Sequence, residues 1–313
     1  MLAVRLSVAL LFLFTSTSLA DRPKCGSANT NAVERREVSN AVLANPHYVH
    51  LLDRSTLVAR ARDPIGKWVE ACDIKNLGSY MEYRILGGGA KATTSLLEET
   101  VDADDNKIDL STTTSKVFGS ARIRIGTGEV SGCTVVTVVS TRAVYMGHFW
   151  ENLSMENDVD FEENFMNLFF GGTPQTQTTG PAIDPSLFNQ AGDRPIAFIM
   201  SPRALAYDEG EDPTAEGTGH PAAQGIFEHA TQLNQLRTRL EEIIPGIIIE
   251  GYGYEVTADG FVPGAPFRLA LFEYDPKADA VGPNWRLWQE DTLNLGRTLQ
   301  GFGQPAAGSS SSS

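Results

Sequence analysis

Two adjacent runs of β-branched and aromatic residues constrain the fold of this chain more than any other part of its sequence. Residues 134–140 and 143–149 are separated only by Thr141 and Arg142. Such a pair predicts an antiparallel β-hairpin, because two residues suffice to connect antiparallel neighbours. Both faces of the two runs are mostly apolar, so we expect the hairpin to lie at the centre of a sandwich with packing on each side.

The register of this hairpin follows if Thr141 and Arg142 form its tip. The facing pairs are then Val139 and Val144, Thr137 and Met146, and Val135 and His148. Because side chains alternate between the two faces of a strand, Cys133 and His148 share one face and are diagonal neighbours at the open end of the hairpin. The same face carries Val135, Val139, Val144 and Met146. A slip of one residue would put Cys133 and His148 on opposite faces.

Strand signals dominate the rest of the chain. Further strands are predicted at residues 80–86, 121–125, 195–201, 247–256, 267–274 and 285–289. Apolar stripes at helical spacing predict two helices, over residues 160–170 and 224–244. Runs of strands with few helices and no regular alternation predict an α+β fold, with a β-sandwich core of mixed or antiparallel strands flanked by helices.

The N-terminus has the three-part layout of a secretory signal peptide, with Arg5, an apolar run over residues 8–14 and small residues up to Ala20. We therefore expect cleavage after Ala20 and a secreted, extracellular protein. The predicted organisation is a signal peptide over residues 1–20, an N-terminal extension over 21–78, one α+β domain over 79–300 and a flexible serine-rich tail over 301–313.

The net charge of the chain disfavours some classes of binding partner. It has 39 acidic and 25 basic residues, which give a formal net charge of −14. Nucleic acids and anionic membranes attract basic surfaces, so we expect neither nucleic-acid binding nor stable membrane association. The acidic balance favours a soluble chain, but it identifies no substrate and leaves the oligomeric state open.

The three cysteines leave at least one thiol unpaired within a monomer. We expect a disulfide between Cys25 and Cys72, which would tie the N-terminal extension to the body. Cys133 is then a free thiol in an oxidising compartment, where unused thiols are a liability. Three alternatives stay open for Cys133: a buried inert residue, a disulfide with one of the other cysteines, or a reactive nucleophile.

A cysteine and a histidine placed in this way suit nucleophilic catalysis. The imidazole of His148 would take the proton of Cys133 to form an ion pair with the thiolate, and would later protonate a leaving amine. Gly132 would let the backbone approach closely, so that main-chain N–H groups near the cysteine could stabilise an oxyanion. The competing interpretation of His148 is a satisfied core histidine, and spacing alone identifies no third group to orient its ring.

The sequence Ser131-Gly132-Cys133, followed by strand, turn, strand and His148, resembles the active-site signature of the glutamine deamidases. That superfamily includes the catalytic domain of the cytotoxic necrotizing factors, the chemoreceptor deamidase CheD and the Burkholderia lethal factor. The likeness covers roughly residues 120–150. It implies a Cys–His pair on a β-sandwich core.

The resemblance also implies a third catalytic residue. In the branches that contain CheD and the lethal factor, a threonine precedes the cysteine by six positions, and Thr127 occupies that position here. In the toxin branch a backbone carbonyl takes this part instead, so both alternatives stay open.

The activity implied by the resemblance is hydrolysis of a protein glutamine side chain through a Cys133 thioester, or transamidation when a primary amine replaces water. The expected partner is a protein substrate with an exposed glutamine, and we expect no cofactor and no metal. Two other classes stay open. One is a different cysteine hydrolase, such as a peptidase, and the other is a non-catalytic secreted binding or effector protein on the same scaffold.

The other motifs in the sequence do not predict a phosphate-binding or metal-binding site. The glycines at residues 87–89 are not followed by the helix start of a phosphate-binding loop. The acidic loop before His220 fits no calcium-binding pattern, and His229 lacks zinc-like spacing to cysteine or glutamate. Asn152 begins a glycosylation sequon four residues after His148, where a glycan would crowd the mouth of the predicted site.

Overall fold

The computed structural model describes residues 68–69, 71–87, 93–101, 107–173, 177–208, 219–256, 264–279 and 282–300. The predicted signal peptide and serine-rich tail, most of the predicted extension, and Cys25 of the predicted disulfide lie outside these residues. Within the described ranges, no helix is long and apolar enough to cross a membrane.

Two β-sheets form the body of the protein. The first has the strand order β1 (Thr94–Ser95), β4 (Ile123–Thr127), β12 (Ala270–Asp279), β13 (Gly282–Gln289) and β14 (Thr292–Leu295). The second has the order β11 (Ile248–Tyr254), β8 (Ile196–Pro202), β5 (Thr134–Val139), β6 (Ala143–Phe149), β3 (Lys107–Val117) and β2 (Glu98–Val101), with β7 (Thr178–Thr179) beside β3. A separate pair joins β9 (Leu205–Ala206) and β10 (His220–Pro221). Both large sheets are mixed, since β1–β4, β8–β11 and β3–β7 are parallel and their other pairs are antiparallel.

The two sheets enclose an apolar core, and helices cover both outer faces. Helix α1 (Leu77–Ile85) packs on the outer face of the first sheet. The outer face of the second sheet is covered by α2 (Glu151–Ser154), α3 (Asp158–Asp160), a π-helix (Phe161–Met166), α4 (Asn167–Phe170) and α5 (Ala230–Ile243). Among the described residues, the other helical elements are short: α6 (Gly296–Gln300) and two 3₁₀ turns, Ala71–Asp73 and Pro185–Leu187. The predicted α+β fold with a β-sandwich core flanked by helices is confirmed.

The β5–β6 hairpin has the predicted register. Its pairs include Val135 with His148, Thr137 with Met146, and Val139 with Val144. One face packs between the sheets and carries Val135, Val139, Val144 and Met146. The other face packs on the helices and carries Val136, Val138, Ala143 and Tyr145. Because both faces are buried, a one-residue slip would exchange two complementary sets of core side chains.

Ser140 stabilises the hairpin tip, which has no standard turn residues. Its Oγ accepts hydrogen bonds from the backbone N–H groups of Arg142 and Ala143, each at 3.0 Å, and donates to the carbonyl of Leu187 at 2.8 Å. The guanidinium of Arg142 donates to both carboxylate oxygens of Asp193, at 2.7 and 2.8 Å. The tip is therefore stabilised by contacts with residues that are distant in sequence, and not by residues that favour a tight turn.

The substitution Ser140→Ala should lower the free energy of unfolding by about 2 kcal/mol, because it leaves one buried and two partly buried backbone groups without their partner. Chemical denaturation checks the value. Ser186→Ala, at an exposed serine, is the matched control and should change stability far less. Equal stability of the two variants would contradict this account of the tip.

The strand predicted over residues 80–86 is wrong, because this segment belongs to α1. Asn76 begins the helix as its N-cap, with Oδ1 accepting from the N–H of Ser79 at 2.8 Å. The apolar and aromatic residues recur at helical spacing, so that Tyr80 packs on the first sheet with Met81 and Ile85. The hydroxyl of Tyr80 also donates to Glu273 of β12 at 2.8 Å. The helix spans the predicted boundary at residues 78 and 79.

The two predicted helices are present with different bounds. Residues 158–170 are helical with a π-helical centre, and Gly171 ends the segment at a φ of 93°. The second helix, α5, begins at Ala230 rather than at Gln224. Gln224 instead exchanges side-chain hydrogen bonds with the backbone N–H and carbonyl of Gly253, at 3.0 and 2.8 Å. These bonds hold residues 224–229 against the edge of the second sheet, in a conformation that is not helical.

Candidate active site

A hydrogen bond between Thr127 and His148 joins the two sheets. Thr127 ends β4 of the first sheet, and His148 lies near the end of β6 in the second. The hydroxyl Oγ1 of Thr127 is 2.8 Å from Nδ1 of His148, and both residues have no exposed surface. The structure therefore brings together two of the three predicted site residues.

Cys133 lies at the end of the loop that leads from β4 to β5, and so from one sheet to the other. Its side chain is 1% exposed and belongs to the apolar core between the sheets. The side chain of Cys133 lies on the predicted face of the hairpin. The same core between the sheets contains the hydrogen bond between Thr127 and His148. The hydroxyl of Tyr254, from β11, donates to the carbonyl of Cys133 at 2.7 Å and holds the backbone at the cysteine.

The backbone conformation of this loop requires a glycine at position 132. Its φ of 81° lies in the left-handed region, which L side chains rarely adopt. A Cβ at this position would also lie 1.7 Å from Oε2 of Glu151. The glycine therefore allows the Glu151 carboxylate to lie directly over the backbone that precedes the cysteine.

The indole ring of Trp150 packs against the imidazole ring of His148. The two ring centroids are 4.8 Å apart, with planes inclined by 32°. The indole Nε1 donates to the carbonyl of Leu110, and the backbone N–H of Trp150 donates to Oγ of Ser111, each at 3.2 Å. With Thr127 on Nδ1, these contacts fix the orientation of the His148 ring.

Burial keeps both reactive groups neutral. It raises the pKa of the Cys133 thiol to about 11, and the charges of Glu151 and Asp109 raise it further, whereas main-chain groups of Glu151 and Ser131 oppose the rise. Burial also lowers the pKa of His148 to about 4, against the opposing effect of the Leu96 main chain. The thiolate–imidazolium pair expected from the sequence is therefore absent from this conformation, because the apolar surroundings disfavour both charged forms.

The sulfur and the imidazole share the inter-sheet core without a hydrogen bond between them. Within the described residues, Nε2 of His148 makes no hydrogen bond of acceptable geometry, although the Leu96 main chain favours the protonated ring. The sulfur of Cys133 lies 3.7 Å from the carbonyl of Ser131, to which it donates weakly. If His148 carries its proton on Nδ1, facing Thr127, the unpartnered Nε2 presents a lone pair. This is the arrangement of a general base.

A second group of side chains lies beside the cysteine loop and was missed by the sequence analysis. Glu151 from α2 meets Glu228 and His229, which precede α5, and one ligand atom from each lies within 4.8 Å of the other two. Nε2 of His229 is 3.4 Å from Oε1 of Glu151. The adjacency of Glu228 and His229 was the only local signal, because Glu151 is far away in sequence.

Comparison of the chain with protein-family models, curated proteins and solved structures found no match.

Iodoacetamide should alkylate Cys133 at least tenfold more slowly in the native protein than in the unfolded chain at pH 8. The physical reasons are shielding of the sulfur and a pKa raised from 9.0 to about 11, which leaves roughly 100-fold less thiolate at neutral pH. Peptide mass spectrometry resolves Cys133 from the other two cysteines. Similar rates in the native and unfolded chains would show that the sulfur is exposed and activated.

His148 should titrate near pH 4 when its ring is followed by NMR. Since this pKa lies below the 6.5 of an ordinary histidine, the unfolded chain binds the proton first as the pH falls. The associated stability is complete above pH 6.5 and is lost toward pH 4, a change on the order of 3 kcal/mol. Denaturation curves across this range check the sign. A ring that titrates at or above 6.5 would contradict the assigned burial.

Proposed function

We propose that this protein is an exported cysteine-dependent amidohydrolase that deamidates glutamine side chains in a protein substrate. The observation that carries the proposal is the 2.8 Å contact between Thr127 Oγ1 and His148 Nδ1. Thr127 is the residue that the resemblance to the glutamine deamidases assigns to orienting the histidine. That contact forms between two different sheets, in the same core as Cys133.

The proposed reaction has two steps. The sulfur of Cys133 attacks the side-chain carbonyl carbon of a glutamine while His148 Nε2 takes the thiol proton. When the tetrahedral intermediate collapses, the C–N bond breaks, His148 returns the proton to the leaving nitrogen, and ammonia departs. Water, deprotonated by His148, then attacks the thioester. This step releases glutamate and restores the thiol, and a primary amine in place of water would give transamidation.

A neutral Cys–His pair fits this scheme as a general-base mechanism. Proton transfer to Nε2 would accompany attack, so no standing thiolate is needed. Thr127 Oγ1 would accept from Nδ1–H and so keep the ring in the tautomer whose lone pair is on Nε2. The proposal requires that substrate binding uncover Cys133, which is 1% exposed in this conformation. Trp150 lies against the His148 ring and Glu151 lies over Gly132, and we propose that these two residues move when the substrate binds.

The alternative is a non-catalytic secreted binding protein that retains the same scaffold. Full burial of His148 and near-complete burial of Cys133 favour it. On that alternative, the Thr127–His148 bond serves only to satisfy a buried imidazole between two sheets.

An assay of catalytic activity distinguishes the proposed enzyme from the non-catalytic binding protein. The protein is incubated with a native protein extract and with a blocked glutaminyl-glycine dipeptide, in water labelled with heavy oxygen. We expect ammonia release and new glutamate residues that carry the label, since water hydrolyses the thioester. Cys133→Ala should abolish both signals, and His148→Ala should reduce them by about 10²–10⁴-fold.

Variants at Thr127 test its positioning role. Thr127→Val should slow deamidation and shift its pH profile, whereas Thr127→Ser should retain most of the rate because it keeps a hydroxyl for Nδ1. Thr134→Val is the matched control, because Thr134 is also fully buried and its hydroxyl bonds to Ser201, at 2.9 Å, rather than to His148. Unlabelled glutamate, or activity that survives Cys133→Ala, would overturn the proposed function.

A further inference from the structure

A cluster of Glu151, Glu228 and His229 lies beside the cysteine loop and takes no part in the proposed reaction. Its members come from two separate segments, the start of α2 and the turn before α5. Their ligand atoms all lie within 4.8 Å of one another. Two carboxylates and one imidazole nitrogen thus converge on a space about the size of a metal coordination sphere.

The side chain of His229 supplies a second observation, beyond the closeness of the three groups. Its side chain is 11% exposed, and Nε2 itself is buried without a hydrogen-bond partner among the described residues. This nitrogen lies 3.4 Å from Oε1 of Glu151 and makes no hydrogen bond to it. A buried nitrogen without a hydrogen bond is costly, and a metal ion bound by both His229 and Glu151 would satisfy it.

We propose that Glu151, Glu228 and His229 form a binding site for a divalent transition-metal ion of the zinc class. Two ligands that are each about 2.1 Å from a tetrahedral metal lie about 3.4 Å apart, as the Glu151 oxygen and His229 nitrogen do. Imidazole with carboxylates suits zinc and its neighbours rather than calcium, which takes oxygen ligands. Three protein ligands leave a further coordination position open for water.

The site would fasten Glu151, the residue that lies over the cysteine loop, to the turn before α5. One carboxylate oxygen of Glu151, Oε2, lies over Gly132, immediately before Cys133, and Oε1 faces His229. A metal held by Glu151, Glu228 and His229 would therefore link the β6–α2 turn to the turn before α5. Binding to the native fold alone would also raise the thermal stability of the protein.

Zinc binding is measured by isothermal titration calorimetry on untagged, chelator-treated Cys133→Ala protein, so that the site thiol cannot be the ligand and deamidation cannot affect the result. We expect binding of one equivalent, a raised melting temperature, and at least tenfold weaker binding in His229→Gln and in Glu228→Gln. His220→Gln, at an exposed histidine of β10, is the matched control and should bind as the parent does.

Cobalt(II) provides a second readout. Its ligand-field absorption should report a bound, low-symmetry ion in the parent and should be lost in His229→Gln. Thermal unfolding without metal checks that each variant is folded. Unchanged zinc affinity in His229→Gln and Glu228→Gln, or affinity that is lost only in His220→Gln, would overturn the site. Because the assay contains no catalytic thiol, its failure is distinct from failure of the proposed deamidation.

Discussion

The register of the β5–β6 hairpin is the constraint on which the rest of the structure depends. The hairpin is buried on both faces, with one apolar set against the first sheet and another against the helices. That double burial makes any slip of one residue expensive, since it would exchange two sets of side chains that fit different surroundings. The register also places His148 opposite Val135, and thereby directs its ring toward Thr127 in the other sheet.

The packing that positions Cys133 and His148 also disfavours the thiolate and the imidazolium in this conformation. Apolar surroundings hold the Cys133 thiol and the His148 imidazole in one core, and they disfavour the charged form of each. The thiol and the imidazole are therefore both neutral in this conformation. Glu151 lies over Gly132 of the cysteine loop, and Tyr254 donates to the carbonyl of Cys133, so both residues hold that loop in place.

Local periodicity was sufficient to predict part of the fold and insufficient for the rest. The hairpin could be predicted because its period-two pattern and its tip lie within one short segment. The segment 80–86 was mistaken for a strand, because its capping residue Asn76 lies outside it and Tyr80 has its partner in β12. The long strand β3 carries few apolar residues, and it was missed because its serines and threonines are buried by neighbouring strands rather than by their own hydrophobicity.

The sequence by itself determined which face of the hairpin Cys133 and His148 share, because alternation along a strand is a local property of the backbone. It also indicated Thr127 through a resemblance, without a physical reason for contact. Only the tertiary structure decided that Thr127 reaches His148 across two sheets and that both reactive groups are buried. The convergence of Glu151 with Glu228 and His229 was likewise decided there. Contacts between residues distant in the chain depend on how the layers pack, and no local pattern encodes that packing.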